Sequence, residues 1–266
     1  MGSIEHAFLD LGRLDRLAHA DTPIHRLDPR AKILATLVYL VTLVSHGKYE
    51  VSALLPYAVY PAVLAAQADL PLGYLARKLL VVAPFAVLVG AANPWLDRTP
   101  MLALGPLTVT GGWVSYASIL VRFVLTIGAA LVLVATTGFH GVCLGLQRLG
   151  TPRVMAVQLL LLYRYLFVLA DEALRLVRAR GLRSFGRRGT GIKVYGSLVG
   201  HLLLRTLDRA RRIHVAMLCR GFTGEFRTLR SLRFRGRDWA FLVGWSALFL
   251  AFRMVNVPRL LGSLFV

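Results

Sequence analysis

Four apolar stretches, at about residues 31–45, 51–68, 79–95 and 113–137, follow one another, separated by "HGKYE", "DLPLGYLARK" and a Gly/Pro-rich loop through 96–112. A chain that strings such runs together cannot bury them all in one water-soluble core, so a bilayer is the expected solvent. The whole-chain balance agrees: 56% of residues are hydrophobic and mean hydropathy is +0.62. A soluble domain carries roughly 45–50% apolar residues. Some runs fall short of the roughly 20 residues that cross a full bilayer, so tilt, flanking residues or local thinning must help. A further run from Trp239 to about Asn256 reads as a fifth span, or as a hairpin-like return if the parity of the earlier spans differs.

Charge sets the expected orientation. The net charge is +19, from 32 Lys and Arg against 13 Asp and Glu. The excess is concentrated between Arg175 and Arg237, where 17 basic residues meet two acids, Asp208 and Glu225. Lys and Arg near span ends resist translocation, which keeps this segment cytoplasmic. Arg26, Arg30 and Lys32 precede the first span and Arg77 with Lys78 precede the third, whereas the intervening loops hold Lys48 and Arg98, each beside an acid. The N-terminus is therefore expected inside, and four spans return residue 138 to the same side.

Residues 4–18 place Ile4, Phe8, Leu11, Leu14 and Ala18 on one helical stripe, suited to a membrane surface or to packing on the protein. In "DTPIHRLDPRAK", Asp28 can cap a helix that Pro29 opens. After a Gly/Pro-rich loop at 96–112 and the fourth run, a helix is expected from Thr151-Pro152 to about Arg180. Its apolar part is short and contains Gln158 and Arg164, which fits a buried or interfacial helix better than an independent span. A second, amphipathic helix is expected over about 191–219, with Val199, Leu203, Ala210, Ile213 and Met217 near one side and Arg205, Arg209 and Arg212 on another. Asp208 stands three and four residues before Arg211 and Arg212, the spacing of a helical ion pair.

Each of these two helices ends in Arg-Gly, in "VRARGLRS" (177–184) and "AMLCRGF" (216–222). An Arg in the last helical turn faces the negative end of the macrodipole, and Gly just beyond can close the helix in the left-handed region. Capping accounts for one such site; a pair, each at the tip of a long basic helix, suggests more. A guanidinium held at a rigid tip is suited to bidentate pairing with a carboxylate in a partner's groove.

Other chemistries fail on their spacing. "GRRGTGIK" (186–193) has the GxxxxG interval, but Ile192 follows Gly191 and no Ser or Thr follows Lys193. Without a phosphate loop, energy for any work must come from elsewhere, a partner ATPase or an electrochemical gradient. The seven histidines are scattered, Cys143 and Cys219 lie in no metal or disulfide pattern, and no nucleophile elbow or paired intramembrane carboxylate occurs. No catalytic residue and no metal ligand set is expected. The first 30 residues lack the apolar core of a cleavable signal, and His6 breaks the myristoylation pattern.

Taken together, "TPIHRLDPRAK" (22–32), Ala179-Arg180-Gly181, Cys219-Arg220-Gly221 and "RSLRFRGRDW" (230–239) resemble the transmembrane T component of energy-coupling factor transporters, of the CbiQ/NikQ type associated with cobalt and nickel uptake. The likeness covers nearly the whole chain. It implies an all-α integral membrane protein with about five transmembrane helices and two long cytoplasmic amphipathic coupling helices. It also implies a non-catalytic scaffold that joins two cytoplasmic ABC-type ATPases, which carry ATP and Mg, to a membrane substrate-binding component of CbiM/NikM type. Carried over by residue, Ala179, Arg180 and Gly181 form one ATPase-docking contact, and Cys219, Arg220 and Gly221 the other. Cys219 stands where Ala is commoner, a small-for-small change. His25, Asp28, Pro29, Arg30 and Lys32 belong to the family's N-terminal motif. No cofactor is implied for this chain, because the metal is bound by the partner.

The expected organisation is a cytoplasmic or interfacial segment at 1–28, a bundle of about four spans at 29–137, a coupling domain at 138–237 and a last span with the C-terminus at 238–266. The membrane is a bacterial or archaeal plasma membrane, with the N-terminus and both Arg motifs cytoplasmic. Anionic lipids are expected to accompany the basic segment; nucleic acid is not, since its aromatics form no stacking platform. Competing readings are a T component serving a vitamin importer, a stand-alone metal permease, which would need His or acids along a membrane path, and a polybasic membrane anchor.

Overall fold

The computed structural model describes residues 15, 17–97, 99–104, 107–183, 191–224 and 234–254. The stripe at 4–18, most of "GRRGTGIK" and the start of "RSLRFRGRDW" lie largely outside them. The chain divides into two compact units: one takes in the described residues of 146–231, the other those of 14–145 and 232–266.

The larger unit opens with α1, Pro29–Val44, started as the sequence predicts: Asp28 caps it, accepting from Arg30 N at 2.9 Å, with Pro29 in the first turn. The second apolar run folds as α2 (Val51–Leu54), one 3-10 turn (Leu55–Ala58) and α3 (Val59–Gln67). Then come α4 (Leu72–Gly90), the short α5 (Asn93–Leu96) and α6 (Gly111–Arg148). The loop expected at 96–112 carries a small antiparallel hairpin, β1 (Pro100–Leu104) with β2 (Leu107–Thr110). The last helix of this unit is α9, Gly236–Met254.

Hydrogen bonds fix how these helices run. Lys32 Nζ donates to Thr136 O at 2.8 Å, while Arg122 Nη2 donates to His46 O and Gly47 O at 2.9 and 2.7 Å, so α6 is antiparallel to α1. Asp28 N donates to Asp238 Oδ1 at 2.8 Å, and Arg253 Nη2 to Ser45 O at 3.2 Å, so α9 runs parallel to α1. Tyr60 meets Thr36 and Tyr57 meets His46, so the α2–α3 segment descends beside α1, and α4 climbs back to bring Asp97 to Lys48. The four apolar runs thus return the chain, at Thr136, to the end of the bundle where α1 began.

The core of this unit is aromatic. Tyr39, Tyr57, Tyr60 and Phe249 are each at most 1% exposed, with ring centroids 4.9 Å apart for Tyr39–Tyr60 and 5.1 Å for Tyr60–Phe249. Two of the three phenols find partners, Tyr60 with Thr36 at 2.8 Å and Tyr57 donating to Phe249 O at 3.2 Å, while among the described residues the buried Tyr39 hydroxyl has no hydrogen-bond partner. The outer surface is apolar too. Leu80, Val81, Phe85 and Leu88 on α4 are each at least 68% exposed, which water would penalise and a bilayer does not.

The smaller unit contains α7 (Arg153–Arg183) and α8 (Ile192–Cys219), about 46 and 42 Å long at 1.5 Å per residue. Glu172 ties them, accepting from Arg205 at 2.9 Å with Arg209 at 3.7 Å. Among the described residues no ion pair joins Asp208 to Arg211 or Arg212; the ion pairs of this helix run from Arg205 and Arg209 to Glu172 on α7. By length and composition, three described helices could cross a membrane: Leu72–Trp95, Gly111–Arg148 and Arg153–Arg183. The third is the stretch expected as buried or interfacial; Arg164 in its apolar part is exposed.

Candidate functional site

The two Arg-Gly sites close their helices differently. At the end of α8, Gly221 takes φ +77°, Phe222 N donates to Met217 O at 3.0 Å and Gly221 N to Leu218 O at 2.9 Å. These two bonds make a Schellman motif with Arg220 as the C-cap and Gly221 in the left-handed position. Cys219, Arg220 and Gly221 are all exposed. The expectation of a glycine-closed tip holds here.

It does not hold at Gly181. α7 continues through Gly181 to Arg183, and Gly181 is absent from the residues with positive φ. Arg180 therefore projects from the last turn of a helix that runs on to Arg183, with no left-handed glycine to close it there. Its guanidinium carbon lies 5.0 Å from the ring centroid of Tyr195, in the first turn of α8. Ala179 and Gly181 are exposed and Arg180 is half-buried.

Between the two helices runs an apolar cleft of about 400 Å³, lined from α7 by Leu161, Tyr165 and Leu169 and from α8 by Leu207, Ala210 and Ile213. Met217 and Phe222 line it as well, the C3 and C″ residues whose apolar contact commonly accompanies a Schellman turn. The second Arg is thus fixed to a backbone turn whose flanking side chains, both half-buried, line the cleft between the helices.

The N-terminal motif residues gather at the base of the larger unit. Lys32 is 2% exposed, and its ammonium meets the Thr136 carbonyl just before Gly138, where φ +70° and ψ 155° break α6. A helix break strands carbonyls on its N-terminal side, and a buried cation is a fitting partner for that negative end. Pro29 lies so close to Gly145 that a Cβ there would be 3.2 Å from the proline Cβ. Arg30 Nε stands 3.8 Å from Asp28 Oδ1. His25 Nδ1 lies 2.7 Å from Thr22 Oγ1, and burial together with nearby Lys32 holds the His25 imidazole below its usual pKa.

One residue of this base went unread in the sequence. Asp238 is 4% exposed; Oδ2 accepts from Arg235 N at 2.7 Å and Oδ1 from Asp28 N. It closes the first turn of α9 in the manner of a capping-box acid and fastens that turn to α1. The signal was weak because Arg235, not Ser or Thr, occupies the cap position. At the opposite end, Asp97 accepts from Tyr49, Thr99 and Lys48, which hold its carboxyl well below the usual carboxylate range. Among the described residues no group of three or more His, Cys, Asp or Glu could hold a metal ion.

Known proteins resemble this chain along most of its length. The CbiQ family profile, described as cobalt transport protein, matches residues 20–231. An energy-coupling factor transporter transmembrane protein EcfT from Heliobacterium modesticaldum is 28% identical, the match covering 86% of this chain and 92% of the relative. A cobalt transport protein CbiQ from Rhodobacter capsulatus is 31% identical over 62% of each chain. An ABC transporter ATP-binding protein of Bifidobacterium longum is 30% identical over 84% of this chain and 30% of its own length. With most of its length inside the family profile, the chain belongs to the CbiQ family of cobalt transport proteins, transmembrane T components of energy-coupling factor transporters.

Proposed function

We propose that this T component couples two cytoplasmic ABC ATPases to a membrane substrate-binding component of CbiM/NikM type, and that Arg180 and Arg220 are the contacts through which ATPase motion enters it. The observation that carries the reading is that both arginines stand near the ends of two long helices tied side by side through Glu172. A guanidinium offers a fork of N–H donors to a carboxylate, so a groove with an acid can hold each tip bidentately. When ATP draws two such grooves together, the tips are displaced and the helices carry that displacement toward the membrane.

The Bifidobacterium relative supports the pairing with ATPases. It bears the name of an ATP-binding protein, yet 30% of its length aligns with 84% of this chain, so a T-like region shares one polypeptide with the rest of that protein. ATP hydrolysis belongs to the partners, with their own Mg, and this chain is not an enzyme. Cobalt is the proposed substrate, from the family description and the CbiQ relatives; nickel or a vitamin are the other outcomes of an uptake assay. The N-terminus and both tips face the cytoplasm, where the basic segment meets anionic lipid at about 1 kcal/mol for each Lys or Arg near the surface.

The test is charge reversal. Arg180→Glu and Arg220→Glu, singly and together, leave the amount of protein in the membrane unchanged but lower co-purification of the ATPases and uptake of radioactive cobalt. Normal assembly and transport in the double variant overturn the reading.

A further inference from the structure

The two docking arginines are aimed by different means, and the first needs one that backbone closure does not supply. Arg220 is the C-cap of a Schellman turn, so its backbone direction is fixed. Arg180 leaves the side of a helix that runs on to Arg183, and a long side chain in that position has several rotamers open to it. Among the described residues it has a neighbour suited to choosing among them. The Tyr195 ring, about half exposed, stands beneath its guanidinium at 5.0 Å, within cation–π range.

We propose that Tyr195 is a positioning residue for Arg180, holding the guanidinium over its ring so that the N–H edge faces a partner's carboxylate before docking. The stack uses the ring face and leaves hydrogen-bond donors for the partner. It also restricts in advance a side chain that docking would otherwise have to immobilise. Because Tyr195 belongs to the first turn of α8, the contact clips the end of α7 to the start of the next helix across residues 184–190. This proposal rests on the docking reading above.

The experiment uses the full-length chain, co-expressed with its ATPases and reconstituted in lipid nanodiscs, and measures the ATPase dissociation constant. Tyr195→Phe keeps the ring and binds within about twofold of the parent. Tyr195→Leu keeps apolar bulk without a π face and binds about fivefold more weakly, the range of a partly exposed cation–π contact. In an Arg180→Ala background, Tyr195→Leu causes no further loss; in an Arg220→Ala background, its loss persists in full. Membrane levels of every variant match the parent, as a half-exposed site allows. Parental binding by Tyr195→Leu, an equal loss in Tyr195→Phe, or an undiminished loss in the Arg180→Ala background each overturns the proposal. If Arg180→Ala alone binds normally, the docking reading falls and this proposal with it; if Arg180→Ala is weak while Tyr195→Leu is normal, only the positioning role falls.

Discussion

Arg180-Gly181 and Arg220-Gly221 spell the same dipeptide near the ends of successive helices, and the backbone treats them in opposite ways. Gly221 leaves the helix at φ +77°, whereas Gly181 stays within one. In the second site the glycine does the structural work and Arg220 rides on it. In the first the glycine has no conformational task, and a tyrosine on the neighbouring helix takes up the arginine. Equivalent sequence thus yields one arginine governed by main chain and one governed by a side-chain contact.

The contrast can be broken or sharpened by substitution. The largest effect belongs to the arginines themselves: Arg220→Glu and Arg180→Glu each weaken ATPase binding at least about thirtyfold, since reversing one partner of a desolvated pair costs about 2 kcal/mol or more. Titration of ATPases against the reconstituted chain measures it. The next effect differs in sign between the sites. Gly221→Ala forces a Cβ into the left-handed region and costs about 1–2 kcal/mol, while Gly181→Ala improves an exposed helical position by about 0.5–1 kcal/mol. Thermal unfolding in detergent, followed by helical circular dichroism, should move in opposite directions for the two. A smaller difference separates the residues that follow each glycine. Phe222→Ala removes an apolar clasp on the cleft and weakens binding severalfold through Arg220, whereas Leu182→Ala, at a side chain 78% exposed, leaves binding unchanged.

The smallest effect is a control in the larger unit, outside α7 and α8. Burial and Lys32 lower the folded-state pKa of His25, so the unfolded chain takes up its proton more readily as pH drops. Its stabilising contribution is complete above about pH 6.5, the ordinary histidine value, and shrinks as pH falls below it. His25→Gln removes that dependence from the melting profile while ATPase affinity at neutral pH stays at the parental level.

How much of this could be read beforehand depended on how local the cause is. The Asp28 cap and Pro29 start are set within a few residues, and the structure begins α1 there. The return of the chain after four apolar runs follows from counting, and the break at Gly138 falls on the residue expected to come back. What escaped is what acts across the chain. Asp238 bonds to a backbone amide 210 residues away. Glu172 is a second case: its partners Arg205 and Arg209 lie on another helix, 33 residues or more along the chain, where helical spacing gives no sign of them. Gly181 and Gly221 are the sharpest instance, since no property of the dipeptide says which will unwind its helix.

The base of the larger unit also bears on how such a protein could be rebuilt. The chain leaves that unit after Gly145, packed on Pro29, and re-enters ahead of Asp238, bonded to Asp28. Exit and re-entry are therefore moored to adjacent residues of one short segment. A transplant bounded by those moorings keeps both junctions a fixed, short distance apart, the condition under which inserted segments are tolerated. The two long helices of a distant relative could be spliced between 146 and 231 as one cartridge, and the chimera's choice of ATPase, on the proposed docking role, read out on an unchanged membrane bundle.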